Sequence, residues 1–294
     1  MSHMTANLVP RLCVRVVSAS VANLSTAAMP LKFAANLSMM FQEIATVAER
    51  YKAAKDAGFQ YVEVAFPYHE SMESLSSAKK AAGLEQVLIN SYPGDISKGD
   101  LGIAIFPDRV DEFREKLEMS IQYAKALDCK RMHVMAGRKP ADTDEAMLKK
   151  FEETFISNMT YAADRLQKEG ILALAESVNE RVSVPNYFLG HPHKALQYVK
   201  KINHPNLKVQ FDVFHVQIMD GSITQNLKEQ FPYIGHVQIS QVPDRGEPDE
   251  NGEICFPYFF NLLQEMGYNG FVGCEYVPRG STIQGLKWMK SIQN

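Results

Sequence analysis

From residue 31 onward, a short run of apolar and β-branched residues recurs eight times, and a longer stretch separates each run from the next. Most of these runs follow a turn signal such as Gly58, Gly83 or Gly270. Glycine is common just after a helix because it accepts a positive φ. We therefore predict strands at residues 31–36, 60–65, 85–90, 131–136, 171–176, 208–213, 235–240 and 271–276.

The stretches between these runs have the periodicity of amphipathic helices. In residues 109–127, for example, Val110, Phe113 and Leu117 recur at steps of three and four residues, which places them on one helix face. Strands that alternate with helices indicate a parallel sheet with right-handed crossovers. Eight such units in 294 residues predict a single-domain α/β (β/α)₈ TIM barrel. The predicted helices are residues 42–57, 69–82, 109–127, 145–168, 191–202, 219–230, 256–267 and 281–292.

The first 29 residues differ from the rest of the chain. They contain no Asp or Glu, they are rich in Ser, Ala and Val, and the start at residues 1–4 resembles a cloning remnant. An acid-free N-terminus is typical of a mitochondrial transit peptide, and an extension without a targeting role is the alternative. We expect an N-terminal extension at residues 1–29 and the barrel domain at residues 30–294.

Composition excludes several classes of protein. The net charge is −3, which argues against a nucleic-acid partner, and no apolar run is long enough to predict a membrane span. The four cysteines, at positions 13, 129, 255 and 274, form no C-x-x-C pair. This spacing favours a reducing compartment, so we expect a cytoplasmic protein, or a mitochondrial one if residues 1–29 are a transit peptide. The sequence leaves open whether the chain forms a homo-oligomer.

Oxygen-bearing residues lie at the ends of four successive strands, the fifth to the eighth. They are Glu176, Asp212, Gln238 and Glu275. A carboxylate buried at such a position is destabilising by several kcal/mol unless it is paired or binds a metal. Each residue alone could be the structural partner of a Lys or Arg. Together, three carboxylates and one amide oxygen predict a site for Mg²⁺ or Mn²⁺.

Further candidates surround this set. Asn90 and His133 end the third and fourth strands, His215 follows the sixth, and Arg245 lies in the long loop at residues 241–254. Loops after barrel strands form the rim where active sites occur, so we predict that these four residues contact a small anionic substrate, with Arg245 holding its carboxylate. Each has a structural alternative: a core histidine, an internal hydrogen-bond partner or a solvated charge. Glu63 is also either polar lining or an internal hydrogen-bond partner, and His236 is interpreted as structural.

The chain from Pro30 onward resembles the hydroxypyruvate isomerase family of the xylose-isomerase-like barrel superfamily, which also includes ketose 3-epimerases and endonuclease IV. The matching stretches are PLKFAANLS (30–38), VLINSYPGD (87–95), YAKALDCKRMHVMAG (123–137), FDVFHVQIMDG (211–221), IGHVQISQVPDRGEP (234–248) and GYNGFVGCEYVPRG (267–280). The resemblance implies a TIM barrel, a divalent metal and a role in glyoxylate or carbohydrate metabolism. It also implies interconversion of hydroxypyruvate and 2-hydroxy-3-oxopropanoate (tartronate semialdehyde) through a metal-stabilised enediolate.

The resemblance assigns roles at matching positions. Glu176 and Glu275 correspond to a pair of catalytic glutamates that also contact the metal, and Asp212 and Gln238 to the remaining ligands. His215 and Arg245 correspond to substrate contacts.

Two positions depart from the family pattern: Asp244 stands where Gly is expected, and Val182 where the epimerases have Glu. The alternatives are an isomerase of 2-oxo-tetronate, a ketose 3-epimerase and a non-catalytic binding protein. A DNA-repair nuclease is disfavoured by the acidic balance and by the small number of histidines, eight in all.

Overall fold

Eight parallel strands close into a barrel in a computed structural model that describes residues 30–292. Each strand pairs with its neighbours in chain order, and β1 pairs with β8, so the predicted TIM barrel is confirmed. The predictions for residues 1–29 lie outside the described part of the chain. The strands are β1 (Lys32–Asn36), β2 (Tyr61–Val64), β3 (Glu85–Asn90), β4 (Arg131–His133), β5 (Leu172–Glu176), β6 (Leu207–Asp212), β7 (Ile234–Ile239) and β8 (Phe271–Cys274).

Helices follow the strands and cover the outside of the barrel. They are α1 (Val47–Asp56), α2 (Met72–Ala82), α3 (Val110–Ala126), α4 (Glu145–Lys168), α5 (Pro192–Ile202), α6 (Val213–Met219), α7 (Ile223–Gln230), α8 (Phe256–Glu265), α9 (Thr282–Gly285) and α10 (Lys287–Ile292). Local sequence sets several of their ends. Thr46 and Glu49 form a reciprocal capping box at the start of α1, and Gly83 ends α2 with a φ of 64°.

The helix after β6 begins earlier than the predicted range of 219–230. Asp212 ends β6, and its carboxylate accepts a hydrogen bond from the Phe214 backbone N–H at 2.9 Å, which caps α6 at once. Gly221 and Ser222 then have φ values of 63° and 44° and separate α6 from α7. The apolar residues of α6 resemble the end of a strand, which is why the pattern missed this helix. The predicted helix at 281–292 is likewise two short helices, α9 and α10.

Apolar side chains fill the N-terminal half of the barrel interior. Ala34, Val87, Leu88, Leu174 and Phe271 form a buried cluster there. Buried polar side chains, among them Asn90, Glu176 and Asp212, lie instead at the C-terminal ends of the strands, where the strand-connecting loops can reach them.

Within residues 30–292, none of the helices combines the length and the apolarity that crossing a membrane requires.

Candidate active site

Three of the predicted metal ligands converge at the C-terminal end of the barrel. Glu176, Asp212 and Glu275 each place one carboxylate oxygen within 4.8 Å of the others, and a ring nitrogen of His215 lies within the same distance. The strand positions are staggered: Glu176 pairs in register with Gln210, whereas Asp212 pairs with Gln238. Barrel strands tilt relative to the axis, so side chains that meet in space need not be register neighbours.

Two oxygens of this cluster have no hydrogen-bond partner anywhere in the described chain. They are Glu176 Oε1 and Asp212 Oδ2, and both side chains are buried. Buried polar atoms are almost always paired in folded proteins, so two orphaned carboxylate oxygens in one cluster form a group that could hold a cation. An all-oxygen carboxylate set fits Mg²⁺ or Mn²⁺.

Burial also raises the pKa values of these acids. Burial raises the pKa of Glu176 well above its ordinary range, and the nearby Glu275 and Asp212 carboxylates raise it further. Burial raises the pKa of Glu275 to about 8, although Arg245 opposes this shift. Burial raises the pKa of Asp212 as well, again against Arg245. One guanidinium does not neutralise three buried carboxylates, which agrees with a site built to hold a further positive charge.

Gln238, the fourth predicted ligand, lies beside this cluster within a hydrogen-bonded chain. Its Oε1 accepts a hydrogen bond from Gln210 Nε2 at 2.6 Å, and the same nitrogen donates to Glu176 Oε2 at 2.9 Å. Its Nε2 donates to Glu63 Oε1 at 2.8 Å, which fixes the orientation of the amide. A carbonyl oxygen has a second lone pair, so ligation of a metal by Gln238 stays a prediction.

A cavity of about 450 Å³ opens above the cluster. Six of the predicted site residues line it: Asn90, His133, Glu176, His215, Arg245 and Glu275. Apolar side chains form much of the remaining wall, among them Phe66, Tyr187 and Phe214. Leu101, in the connection between β3 and α3, and Pro243, in the loop at residues 241–254, also line it. The volume is typical of a small-molecule site.

The cationic side of the cavity is formed by Arg245. Its Nη2 donates to Glu275 Oε2 at 2.8 Å, its guanidinium lies 5.1 Å from the Phe214 ring centroid, and its Nε is buried without a partner in the resolved fold. Arg245 has a φ of 56°, and the preceding Asp244 accepts from the Gly246 N–H at 3.1 Å and from Arg279 Nε at 2.6 Å. The departure at position 244 thus provides a carboxylate that anchors the loop carrying Arg245.

Comparison with known proteins identifies the family of this chain. The sequence profile of the xylose isomerase-like TIM barrel family matches residues 51–292. The chain belongs to this family. A putative hydroxypyruvate isomerase of Danio rerio is 50% identical over 262 residues, covering 89% of this chain and 95% of the relative. A 2-oxo-tetronate isomerase of Pectobacterium atrosepticum is 42% identical and covers 87% of this chain and 96% of its own length.

A solved structure is also similar to this chain in both sequence and fold. The crystal structure of a Brucella melitensis protein described as AP endonuclease, family 2, superimposes with a TM-score of 0.84 at 45% identity. The match covers 90% of this chain and 99% of that one. The curated relatives are named isomerases, and the chain is an isomerase of this family.

Two histidines of this isomerase are held neutral by burial. Burial lowers the pKa of His133 to about 3, and its Nδ1 lies 3.1 Å from Glu176 Oε2. Burial likewise lowers the pKa of His215 well below its ordinary value, and Arg245 and His133 contribute in the same direction. Both rings are therefore neutral; His215 hydrogen-bonds to Asn179 through Nδ1, whereas neither ring nitrogen of His133 has a hydrogen-bond partner among the described residues.

Sequence reasoning missed two residues that organise the site. Gln210 bridges Glu176 and Gln238, and it could have been found because it lies two residues before Asp212 on the same face of β6. Asn179 contacts His215 from the loop after β5. No periodicity marks a loop residue, so only the folded arrangement reveals Asn179.

Proposed function

We propose that this isomerase interconverts hydroxypyruvate and 2-hydroxy-3-oxopropanoate, with Glu176 and Glu275 as acid and base. The observation that carries the proposal is the pair itself. Both glutamates line one cavity, one from the end of β5 and the other just after β8, and both have raised carboxyl pKa values. General acids and bases work best when their pKa lies near the working pH.

The reaction moves one hydrogen from C3 to C2 and one proton from O3 to O2. One glutamate removes a proton from C3 of hydroxypyruvate, which carries a hydroxyl group and lies beside the ketone at C2. The other glutamate supplies a proton at C2, and the hydroxyl proton passes from O3 to O2, so C3 becomes the aldehyde and C2 the alcohol. Atoms balance and no external oxidant is required. Which glutamate acts first depends on the face on which the substrate lies.

The substrate carboxylate is assigned to Arg245. Its buried Nε has no partner in the resolved fold, and a guanidinium matches a carboxylate in shape and charge. His215 and His133 line the same cavity as neutral groups that can hydrogen-bond the other substrate oxygens. A Mg²⁺ or Mn²⁺ ion held by the predicted ligand set would supply positive charge beside the oxygens on which negative charge develops.

The alternative substrate is 2-oxo-tetronate. The Pectobacterium atrosepticum relative carries that name at 42% identity, and a cavity of about 450 Å³ has room for one more carbon. A ketose 3-epimerase is less well supported, because Val182 offers an apolar side chain to the cavity where the epimerases have a carboxylate.

Deuterium wash-in distinguishes these reactions. Protein loaded with Mg²⁺ or Mn²⁺ is incubated in D₂O with hydroxypyruvate or with 2-oxo-tetronate, and incorporation at the carbon beside the carbonyl is followed by proton NMR. We expect enzyme-dependent exchange at C3 of hydroxypyruvate together with formation of the aldehyde. Faster exchange with 2-oxo-tetronate would reassign the substrate, and no exchange with either compound would overturn proton abstraction as the chemistry of this site.

A further inference from the structure

The ring of His215 is held on its Nδ1 side by a single residue. The Asn179 backbone nitrogen lies 3.3 Å from His215 Nδ1, and Asn179 Nδ2 lies 2.7 Å from the same atom. Both residues are buried. Asn179 follows Glu176 by three residues, so the segment that carries a proposed catalytic glutamate also positions the histidine.

The orientation of the Asn179 amide is fixed by backbone groups. Its Oδ1 accepts hydrogen bonds from the N–H groups of Val182 at 2.9 Å and Ser183 at 3.0 Å, and backbone nitrogens can only donate. Its Nδ2 also donates to Ser183 Oγ at 2.9 Å. The atom that faces His215 is therefore the amide nitrogen, and His215 Nδ1 faces two donors.

A ring nitrogen that faces two donors must provide a lone pair, so His215 Nδ1 carries no proton. A neutral imidazole then carries its proton on Nε2. His215 Nε2 lies 3.4 Å from Asp212 Oδ2 and 3.8 Å from Glu176 Oε1, the two oxygens that lack a hydrogen-bond partner. The distances from Nε2 to the carboxylates would by themselves allow His215 to share a cation with them. A protonated Nε2, however, has no lone pair with which to bind a cation.

We propose that Asn179 is a positioning residue that holds His215 in the Nε2–H tautomer. In this tautomer His215 is a neutral hydrogen-bond donor toward the cavity and is excluded from the metal ligands. Its use toward a substrate oxygen rests on the proposed function, whereas the tautomer itself does not. His215 therefore does not belong to the metal-ligand set, although its ring lies within 4.8 Å of the three carboxylates.

NMR of the ring nitrogens tests the tautomer directly. Long-range proton–nitrogen correlation spectra of ¹⁵N-histidine-labelled protein are recorded with and without saturating Mg²⁺, and the His215 signals are those absent from His215→Gln. We expect Nε2 protonated and Nδ1 unprotonated under both conditions. A proton on Nδ1 in the unmodified protein, or loss of the Nε2 proton when Mg²⁺ is added, would overturn the proposal. No substrate is present, so failure of the proposed reaction does not affect the result.

An isosteric variant reverses the hydrogen bond. In Asn179→Asp, an oxygen replaces the nitrogen that lies 2.7 Å from His215 Nδ1, and this contact is shorter than the 3.3 Å to the backbone N–H that remains, so the proton should move to Nδ1. Turnover should fall by up to about 100-fold, because misplacing a group that positions the substrate lowers the rate by about that factor. Ser183→Ala is the matched control, since it removes another partner of the Asn179 amide and should keep the Nε2–H tautomer. A folded Asn179→Asp protein with the unmodified tautomer would contradict the assignment.

Discussion

Glu63 and Glu176 are both buried inside the barrel, but they differ in how many of their carboxylate oxygens have a hydrogen-bond partner. The Glu63 carboxylate is fully buried, and both of its oxygens are paired: Oε1 accepts from Asn36 at 2.9 Å and from Gln238 at 2.8 Å, and Oε2 lies 2.8 Å from His236 Nε2. Gly273 makes room for it, because a Cβ there would lie 2.3 Å from Glu63 Oε2. Both oxygens of the Glu63 carboxylate are therefore satisfied by the fold itself.

The Glu176 carboxylate is just as deeply buried, yet only one of its oxygens has a donor. Oε2 accepts from Gln210, whereas Oε1 and the neighbouring Asp212 Oδ2 have no partner within residues 30–292. Burial of an acid is therefore not by itself the mark of a site in this barrel. What identifies the binding site is a buried acid with an oxygen that has no hydrogen-bond partner in the protein, because a cation or a substrate bound there lowers the free energy most.

The sharpest test of this contrast is catalytic. Glu176→Gln and Glu275→Gln should each lower turnover by at least about 10²- to 10⁴-fold, since each removes a group that transfers a proton. Steady-state rates and thermal melting are measured together, so that loss of activity can be separated from loss of fold. Glu85→Gln, at the exposed start of β3, is the control and should keep full turnover. Near-normal rates in either active-site variant would remove the acid–base assignment.

Metal binding should depend on the acids of the unsatisfied cluster and not on exposed acids. At a concentration 100 times its dissociation constant, Mn²⁺ should stabilise the native state by about 2.7 kcal/mol, which raises the melting temperature. Asp212→Asn should lose most of this shift because it removes one of the carboxylate ligands. Asp56→Asn, which breaks only an exposed pair with Lys52, should keep it. A full shift in Asp212→Asn would show that the cation binds elsewhere.

The sequence predicts the barrel well because strand and helix periodicities are local. All eight strands appear where the apolar runs place them. It also predicts that Glu176, Asp212 and Glu275 converge, since the ends of parallel strands meet at one rim. The missed helix α6 shows the limit of such patterns, because its apolar residues continue the pattern of β6 and only the Asp212 cap separates the two.

Hydrogen-bond satisfaction cannot be predicted from the sequence in the same way. Glu63 and Glu176 are both acids in apolar strands, and neither apolar run shows how many hydrogen bonds its carboxylate will accept. The difference arises from residues far away in the chain: Gln238 and His236 reach Glu63 across a separation of more than 170 residues. Asn179 is likewise identified only by the donors around it.

Stability as a function of pH should report the unsatisfied acids. Folding raises the pKa of Glu275 from 4.5 to about 8, so between these values the metal-free native state binds more protons than the unfolded state. Its contribution is therefore fully present below pH 4.5 and is lost as the pH rises through about 8. Denaturant unfolding of chelator-treated protein from pH 5 to 8 should show falling stability, with a shallower decline in Glu275→Gln. Equal slopes would contradict the raised pKa.

The same substitution at Glu63 and at Glu176 should affect metal-free stability differently. Glu63→Gln puts an amide nitrogen either beside Asn36 and Gln238, which donate to Oε1, or beside His236 Nε2 in place of Oε2, and a buried group left unpaired there costs about 1–3 kcal/mol. Glu176→Gln removes a poorly compensated buried charge and should leave the free energy of unfolding unchanged or higher. Urea unfolding at neutral pH in the presence of a chelator measures both. If Glu176→Gln destabilised the metal-free protein as much as Glu63→Gln, the orphaned oxygen would be satisfied in solution, and the inference that this cluster is built to receive a cation would lose its physical basis.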